Sequence, residues 1–402
     1  MRKILLSFLG TGSYVETGKT RQYKTANYKI DNKQYDTSFV SAALAEHLNI
    51  DQRVVIGTVK SMWEEYYRYF AEQENNLDED FYLNLSEFVT NAQYTVPDFP
   101  MAKQLETRLG KTNIVLLKYG LNQLELRYNL EKILMIDDLL MDNDELYVDV
   151  THGFRSFPLF AQQIIMYLKQ VSSKRIHIKK IYYGMLDASR DLEYTPIVDL
   201  SIIQEMNDWI NGAGLLIQKS DGSQLVPLIQ QEDPDLAKLV DNFSKALNIN
   251  YSHEIKKQYQ KILAYDFTRL NPMEQLIAKK AFSEFKKHFK HIGSKHSLFQ
   301  LDLAFWYFNK RLYGVAYLTL TEAIITYAAE YESQANSLDK ELRENAKRNI
   351  FKINKDLGNL YKTVNKIRRN VAHMLDQRHD SYLNDVTNLE KQLQKAKRLM
   401  NY

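Results

Sequence analysis

The segment Leu146-Tyr-Val-Asp-Val-Thr-His-Gly-Phe-Arg-Ser156 indicates how the first half of the chain folds. An apolar, β-branched run leads to Asp149, and a polar loop that contains one glycine follows it. Residues 156–169 then have the apolar spacing of a helix. A buried strand that passes through a tight loop into a helix is the unit from which parallel α/β sheets are built.

The same pattern of strand, loop and helix recurs in the first 200 residues. The other short apolar runs lie at 3–9, 53–58, 113–117 and 179–184. Residues 23–35 alternate around Asp31-Asn32 and predict a hairpin, and residues 36–49 predict a helix. Because parallel sheets bind ligands at the carboxyl ends of their strands, we expect the loops after these runs to converge on one site.

The pattern changes after about residue 200, where almost every segment is helical. Residues 300–332 predict a helical hairpin, and residues 335–376 and 380–400 predict two further long helices. The sequence therefore predicts an α/β domain followed by helices. The predicted boundaries are 1–205 for the α/β domain, 206–299 for a helical connector and 300–402 for a C-terminal all-α domain.

Composition narrows the classes of function. The 402 residues include no cysteine, which excludes disulfides, thiolate zinc sites and cysteine nucleophiles. The net charge of +3 is small, so any surface that binds nucleic acid has to be local. No apolar run is long enough to cross a membrane, and we expect a cytoplasmic protein. His288, His291 and His296 lie among lysines and predict a solvated helix end, so we expect no metal and no cofactor.

The loop that follows Asp149 carries the strongest candidates for ligand binding. Thr151 and Ser156 offer hydroxyl groups, His152 offers an imidazole, and the planar guanidinium of Arg155 suits a phosphate or a base edge. The start of the next helix adds positive potential. A capped helix with a structurally bonded histidine is an equally good interpretation of this loop alone.

Loops after neighbouring strands supply the other pocket candidates, which are Thr11, Gly12, Ser61 and Trp63. The indole of Trp63 either stacks on a base or belongs to the core. The triplet Gly18-Lys19-Thr20 matches the end of a P-loop motif. Ser13, however, stands where a P-loop has its first glycine, so the sequence argues against a P-loop.

A second motif, Arg368-Arg-Asn-Val-Ala-His373, lies late in the helical region. At about 100° per residue, Arg369 and Asn370 each lie on the same helix face as His373. Histidine transfers protons near neutral pH and arginine stabilises negative charge at a phosphate, so these residue types suit RNA cleavage without a metal. From spacing alone, a basic helix face with one histidine is the more ordinary interpretation.

The two motifs together resemble a known family. Asp149-x-Thr151-His152-Gly153 resembles the D-x-T-H-G signature of CRISPR-associated proteins of type III systems, and Arg368-x4-His373 is similar to the R-x4-6-H motif of HEPN ribonucleases. Flanking segments agree with the first resemblance over roughly the first 200 residues. They are Phe8-Leu-Gly-Thr-Gly12, Gly57-Thr-x-x-Ser-Met-Trp63, Tyr182-Tyr-Gly184 and Thr195-Pro-Ile-Val-Asp199.

The resemblance implies a Rossmann-like CARF domain that binds a cyclic oligoadenylate across a homodimer axis, joined to an all-α HEPN domain that cleaves single-stranded RNA and leaves 2′,3′-cyclic phosphate ends. Cyclic tetra-adenylate is the first choice of activator and cyclic hexa-adenylate the second. Arg368 and His373 are the implied catalytic residues. Arg369 and Asn370 are expected to support them, although the family often has asparagine directly after the arginine, where Arg369 stands here.

Two other functions remain open at this point. The helical domain could have lost catalysis, which would leave a ligand-responsive regulatory or RNA-binding protein. Alternatively, the sensor domain could itself cleave the cyclic oligoadenylate, as a ring nuclease.

Overall fold

The computed structural model describes residues 1–14, 21–95, 98–332, 339–373 and 382–402, and it covers the backbone but not the side chains of Tyr14, Ala372, His373, Tyr382 and Leu383. The chain divides into two compact units, Met1–Gln204 and Glu205–Tyr402. The Gly18-Lys19-Thr20 triplet lies outside the described residues.

The first unit is built on an eight-stranded sheet with the order β5-β4-β10-β9-β8-β1-β6-β7. The five adjacent strands β9, β8, β1, β6 and β7 are parallel to one another, and β10 runs antiparallel to β9. The strands are β1 Lys3–Leu9, β2 Ser13–Tyr14, β3 Arg21–Gln22, β4 Ala26–Ile30, β5 Lys33–Thr37, β6 Gln52–Gly57, β7 Thr112–Leu116, β8 Glu145–Asp149, β9 His177–Gly184 and β10 Thr195–Asp199. Strands β2 and β3 form a separate antiparallel pair.

Helices cover both faces of this sheet, which is why β1 is apolar at almost every position. Leu6 and Phe8 of β1 belong to the core that includes Phe157 and Ile164, whereas Leu5 and Leu9 belong to cores on the opposite face. The helices of the first unit are α1 Val40–Leu48, α2 Trp63–Gln73, α3 Glu79–Asn91, α4 Ala102–Leu109, α5 Gln123–Leu134 and α6 Phe157–Gln170, with short 3-10 turns at Met135–Leu139 and Leu186–Arg190.

The second unit is helical over its described residues, and helix α7 crosses the boundary between the units. One apolar core runs through it from Trp209 to Met400, so the predicted connector and the predicted C-terminal domain share a core. The helices are α7 Ser201–Lys219, α8 Leu225–Glu232, α9 Pro234–Asn248, α10 Ser252–Leu263, α11 Pro272–His288, α12 His296–Asn309, α13 Tyr313–Glu332, α14 Lys340–Ile353, α15 Lys355–His373 and α16 Tyr382–Leu399, with a 3-10 turn at Phe267–Arg269.

An α/β sheet domain and a helical C-terminal part are confirmed, but two element predictions need correction and one strand was not predicted. Residues 335–376 are not one helix, because Asn354 separates α14 from α15. Its backbone leaves the helical region, and its Oδ1 accepts hydrogen bonds from the amides of Asp356 and Leu357 at 2.9 and 3.0 Å. The helix predicted at 36–49 starts only at Val40, and the sequence patterns missed strand β10.

The prediction of a solvated helix end at His288, His291 and His296 is wrong for the last two of these residues. Nδ1 of His291 lies 3.2 Å from Oδ1 of the buried Asp302, and Nε2 of His296 lies 3.1 Å from Oγ of Ser252. Burial lowers the pKa of His296 to about 4, so this imidazole is neutral near pH 7. His291 and His296 therefore have structural roles, because each lies within hydrogen-bonding distance of a polar side chain of the helical unit.

Asn354 sets the start of α15, the helix that carries Arg368. We expect Asn354→Ala to destabilise the second unit by about 1 kcal/mol, because two amide groups lose their acceptor. Asn354→Asp retains an oxygen acceptor at the start of the helix and should cost much less. Urea unfolding followed by far-ultraviolet circular dichroism measures both; equal losses for the two variants would contradict the capping role.

Candidate functional site

The site forms at the end of β8, where Asp149 is fully buried. Its Oδ1 accepts a hydrogen bond from the Thr151 amide at 2.9 Å, which folds the chain sharply after the strand. Its Oδ2 is buried and has no partner among the described residues. Burial raises the pKa of Asp149 to about 6, against the opposing effect of the hydrogen bonds from Thr151.

Thr151 ties this loop to the neighbouring strand. Its Oγ1 accepts a hydrogen bond from the amide of Gly184, the last residue of β9, at 2.8 Å. A methyl group at Gly184 would approach Val40 to 2.7 Å, so this strand end has no space for a side chain. The Thr151 hydroxyl is thus occupied in holding two adjacent strand ends together.

His152 lies flat against Tyr23, with ring centroids 3.9 Å apart and the two planes within 8°. The residue is partly exposed, but its Nε2 is buried and has no partner among the residues described. Burial lowers the pKa of His152 to about 4, so the imidazole is neutral near pH 7. The hydroxyl of Tyr23 accepts a hydrogen bond from the Gly10 amide at 2.6 Å, which joins the loop after β1 to the same stack.

Two glycines allow the loops after β1 and β8 to meet at their backbones. A Cβ placed on Gly10 would lie 3.0 Å from Cα of Gly153. Gly153 has a φ of +99°, and a Cβ there would lie 2.4 Å from the ring of Phe157. A side chain at either position would force the loops apart.

Ser61 and Trp63, proposed from the sequence as ligand-binding residues, have structural roles. The Ser61 hydroxyl donates to the carbonyl of Leu9 at 2.6 Å and accepts from the Thr58 amide at 2.8 Å. The indole of Trp63 is completely buried against Phe99, and its Nε1 donates to the Thr58 carbonyl. Trp63 therefore has no free face for a base, and the core interpretation is the one that the structure supports.

The remaining candidates lie nearer the surface. Arg155 is exposed, Ser156 is half-buried at the start of α6, and Thr11 and Gly12 are half-buried after β1. The Ser156 side chain makes no capping hydrogen bond, although it precedes the helix. Gly12 has a φ of +65°, and a Cβ there would collide with Sδ of Met62. These four residues and the start of α6 are the accessible part of the site.

Sequence reasoning missed two residues that shape this site. Arg21 is buried and donates from Nε and Nη2 to the buried carboxylate of Glu64, at 3.0 and 2.6 Å. Tyr23 supports His152, whose loop is also flanked by the ring of Tyr119 against Phe154 at 5.2 Å. The local pattern beside Arg21 and Tyr23 indicates only a hairpin, so no spacing rule could have predicted these contacts.

The second motif lies at the end of α15. Arg368 is half-buried, and its Nε is buried without a partner among the described residues; Arg369 is exposed and Asn370 is half-buried. The structure does not describe the side chain of His373. Burial raises the pKa of Tyr361, two turns before Arg368; the carboxylates of Glu322 and Glu344 act in the same direction, and Arg368 opposes them.

Within the described ranges, no three histidine, aspartate or glutamate side chains come together in a way that could hold a metal ion. In the same ranges, no helix is both long enough and apolar enough to span a membrane.

Comparison with known proteins places both units. Residues 4–187 match the family described as CRISPR system endoribonuclease Csx1, CARF domain, and residues 205–296 match CRISPR-associated protein MJ1674, second domain. The first unit is thus similar to the CARF domain of Csx1. The chain as a whole is similar to CRISPR-associated protein MJ1674 from Methanocaldococcus jannaschii, with 30% identity over 434 aligned residues that cover 97% of this chain and 66% of that protein. It therefore spans slightly less than two thirds of that relative's length.

A solved structure of Enterococcus italicus Csm6 bound to cyclic hexa-2′-fluoro-hexa-dAMP is also similar, with a TM-score of 0.40 and 11% identity over 99% of this chain and 93% of that one. The predicted resemblance to CRISPR-associated proteins with a CARF domain is confirmed by the family matches. The HEPN assignment stays a prediction.

His152 should make the first unit sensitive to acid. Its folded pKa, about 4, lies below its ordinary value of 6.5, so its contribution to stability is complete above pH 6.5 and is lost as the pH falls toward 4. We expect His152→Asn to reduce the loss of stability between pH 7.5 and pH 5 by about 1–2 kcal/mol. Asp149 has the opposite sign, because its pKa is raised, but it is present in both proteins.

The measurement is urea unfolding at the two pH values, followed by Trp63 fluorescence after Trp209 and Trp306 are replaced by phenylalanine in both proteins. An identical pH dependence with and without His152 would show that this imidazole is not held neutral in the folded state.

Proposed function

We propose that this chain is an endoribonuclease of CRISPR antiviral defence, activated by a cyclic oligoadenylate and independent of metal, that cleaves single-stranded RNA. The observation that carries the proposal is the match of residues 4–187 to the CARF domain of an endoribonuclease. The Arg368-x4-His373 spacing on α15, in the helical unit that follows, supplies residue types suited to such a reaction.

The sensor site is the accessible edge at the ends of β1 and β8. The exposed guanidinium of Arg155 and the amides at the start of α6 suit an anionic ligand, because both present hydrogen-bond donors and positive potential. Thr11, Gly12 and Ser156 line the same edge. Asp149, Thr151 and His152 act as positioning residues, since hydrogen bonds of the first two and the stacking of His152 on Tyr23 hold the loop in its bent form.

The cleaving site is proposed to be built by Arg368 and His373 from two copies of the chain. The 2′-hydroxyl of one ribose attacks the adjacent phosphorus, the bond to the 5′-oxygen of the next nucleotide breaks, and a 2′,3′-cyclic phosphate and a 5′-hydroxyl are left. Arg368 stabilises the charge that builds up on the phosphate oxygens, and His373 transfers a proton or holds the phosphate. The Nε of Arg368 is buried and has no partner among the described residues, which supports this role because those residues leave it a donor for an incoming oxyanion.

The test is cleavage of a fluorescent single-stranded RNA in EDTA, with and without cyclic tetra-adenylate or cyclic hexa-adenylate. We expect cleavage that depends on the ring and survives EDTA. His373→Ala and Arg368→Ala should each lower the rate at least 100-fold, since a proton-transfer group or a charge-stabilising group is lost. Lys366→Ala, an exposed change on the same helix, is the matched control and should retain activity.

Absence of cleavage with every ring, while a ring still binds, would overturn the proposal in favour of the regulatory function. Shortening of the ring by His373→Ala protein would instead place a ring nuclease in the sensor domain.

Arg155 should contribute to binding of the ring and not to folding. We expect Arg155→Ala to weaken binding of the cyclic oligoadenylate by roughly 10- to 100-fold, because a charged hydrogen-bond donor is lost, with little change in stability. Arg175→Ala is the control, since Arg175 is also exposed but precedes β9 at the opposite edge of the sheet. Calorimetric titration measures both, and equal affinities for the two variants would exclude this edge as the sensor site.

A further inference from the structure

A cavity of about 350 Å³ opens in the helical unit. It is lined mainly by polar side chains from α10, α12, α13 and α14 and from the turn before α10. The residues that matter here are Asn250, Ser252, His253, Gln300, Glu322 and Arg343. Its volume lies in the range of pockets that hold small organic ligands.

Gln300 gives this cavity a buried hydrogen-bond acceptor without a donor among the described residues. The residue is 5% exposed, and its Nε2 donates to Oγ of Ser252 at 3.1 Å. Its Oε1 is buried and has no partner in the described part of the chain. A buried acceptor without a donor costs free energy, so a ligand that brings an N–H group to this oxygen would be bound selectively.

The neighbours of this amide are consistent with its orientation. Ser252, which receives the Gln300 amide, lies 3.1 Å from Nε2 of His296. Burial, together with the positive charges of Lys256, His253 and Arg343, lowers the pKa of His296 and keeps the ring neutral. In the tautomer with the proton on Nδ1, Nε2 accepts the Ser252 proton and Oγ accepts from Gln300, which leaves Oε1 on the side of the amide away from Ser252.

The remaining wall combines opposite charges with an aromatic side chain. Arg343 donates to Oε2 of Glu322 and to Oγ1 of Thr326, each at 2.6 Å, so the carboxylate in the cavity is paired. Tyr251 also lines the cavity and has 56% of its surface exposed. A flat ligand with an amino group on its edge could donate a hydrogen bond to Oε1 of Gln300, and acceptors next to that amino group would suit the neighbouring Arg343–Glu322 pair. The face of the same ligand could stack on the ring of Tyr251.

We propose that this cavity binds a nucleobase that carries an exocyclic amino group, with that group donating to Oε1 of Gln300. The base comes either from a free nucleotide or from the RNA, and only the second source rests on the proposed ribonuclease function. Cytosine satisfies the Gln300 acceptor through its 4-amino group. Uracil, which has a carbonyl oxygen at that position, would face it with a second acceptor.

The experiment compares cytosine with uracil, which differ on this edge, and measures binding without cleavage. Calorimetric titration uses CMP and UMP with the unmodified chain, and cytidine and uridine 12-mers with Arg368→Ala protein. We expect a preference for cytosine of about tenfold in at least one of the two pairs. Gln300→Leu should remove the preference, because the acceptor is gone.

Gln258→Leu is the matched control. Gln258 is also buried, its Oε1 also lacks a partner among the described residues, and it does not line the cavity. This variant should retain the preference, which separates recognition from general damage to the helical core.

Preference for CMP over UMP would identify a free nucleotide as the ligand, and preference only among the 12-mers would identify the RNA. Equal binding of cytosine and uracil in both pairs, or a preference that survives Gln300→Leu, would overturn the proposal. Neither result depends on cleavage, so a failure of the ribonuclease function would be seen separately, in the EDTA assay.

Discussion

The first unit depends on how the chain turns after β8. Asp149 is buried at the strand end, and its carboxylate holds the Thr151 amide, so the chain bends directly toward α6. That bend places Gly153 against Gly10 and the His152 ring against Tyr23. The loops after β1 and β8 are therefore packed against each other, and a ligand that moved one of them would also move the other. Such coupling would let a ligand that binds several loops favour one arrangement of all of them.

The order of the elements in the first unit could be predicted because the apolar patterns of strands and of helices are both local in the sequence. Buried parallel strands are largely apolar, as in β1, and the β-branched segment at 53–58 therefore predicted β6 to within a few residues. The short segment at 179–184, with an isoleucine and two tyrosines after two lysines, predicted most of β9. Strand β10 contains a proline and alternates weakly, so pairing with β9 and β4, and not its own sequence, makes it a strand. The break at Asn354 was missed for a related reason, since one capping side chain decides it inside an otherwise helical pattern.

The candidate site was predictable in part only. Asp149, Thr151 and His152 are consecutive with a strand end, so their position follows from the sequence. Trp63 shows the limit, because an indole after a strand fits a base stack and a core equally well until its burial is known. Arg21 lies in the short strand β3 and Tyr23 follows that strand, and their positions depend on tertiary contacts with Glu64 and Gly10. Such contacts leave no periodic signal.

Buried polar atoms without a partner among the described residues recur in both units, and alone they do not identify a site. Tyr66 and Gln258 each have such an atom in places where no ligand is proposed. The atoms of Asp149, His152 and Gln300 differ, because each occurs beside a second feature: a converging set of strand-end loops for the first two, and a polar cavity for the third. Each of them raises the free energy of the folded state. A ligand that completes the missing hydrogen bonds recovers that cost, so its binding is linked to the stability of the loop or helix that holds the atom.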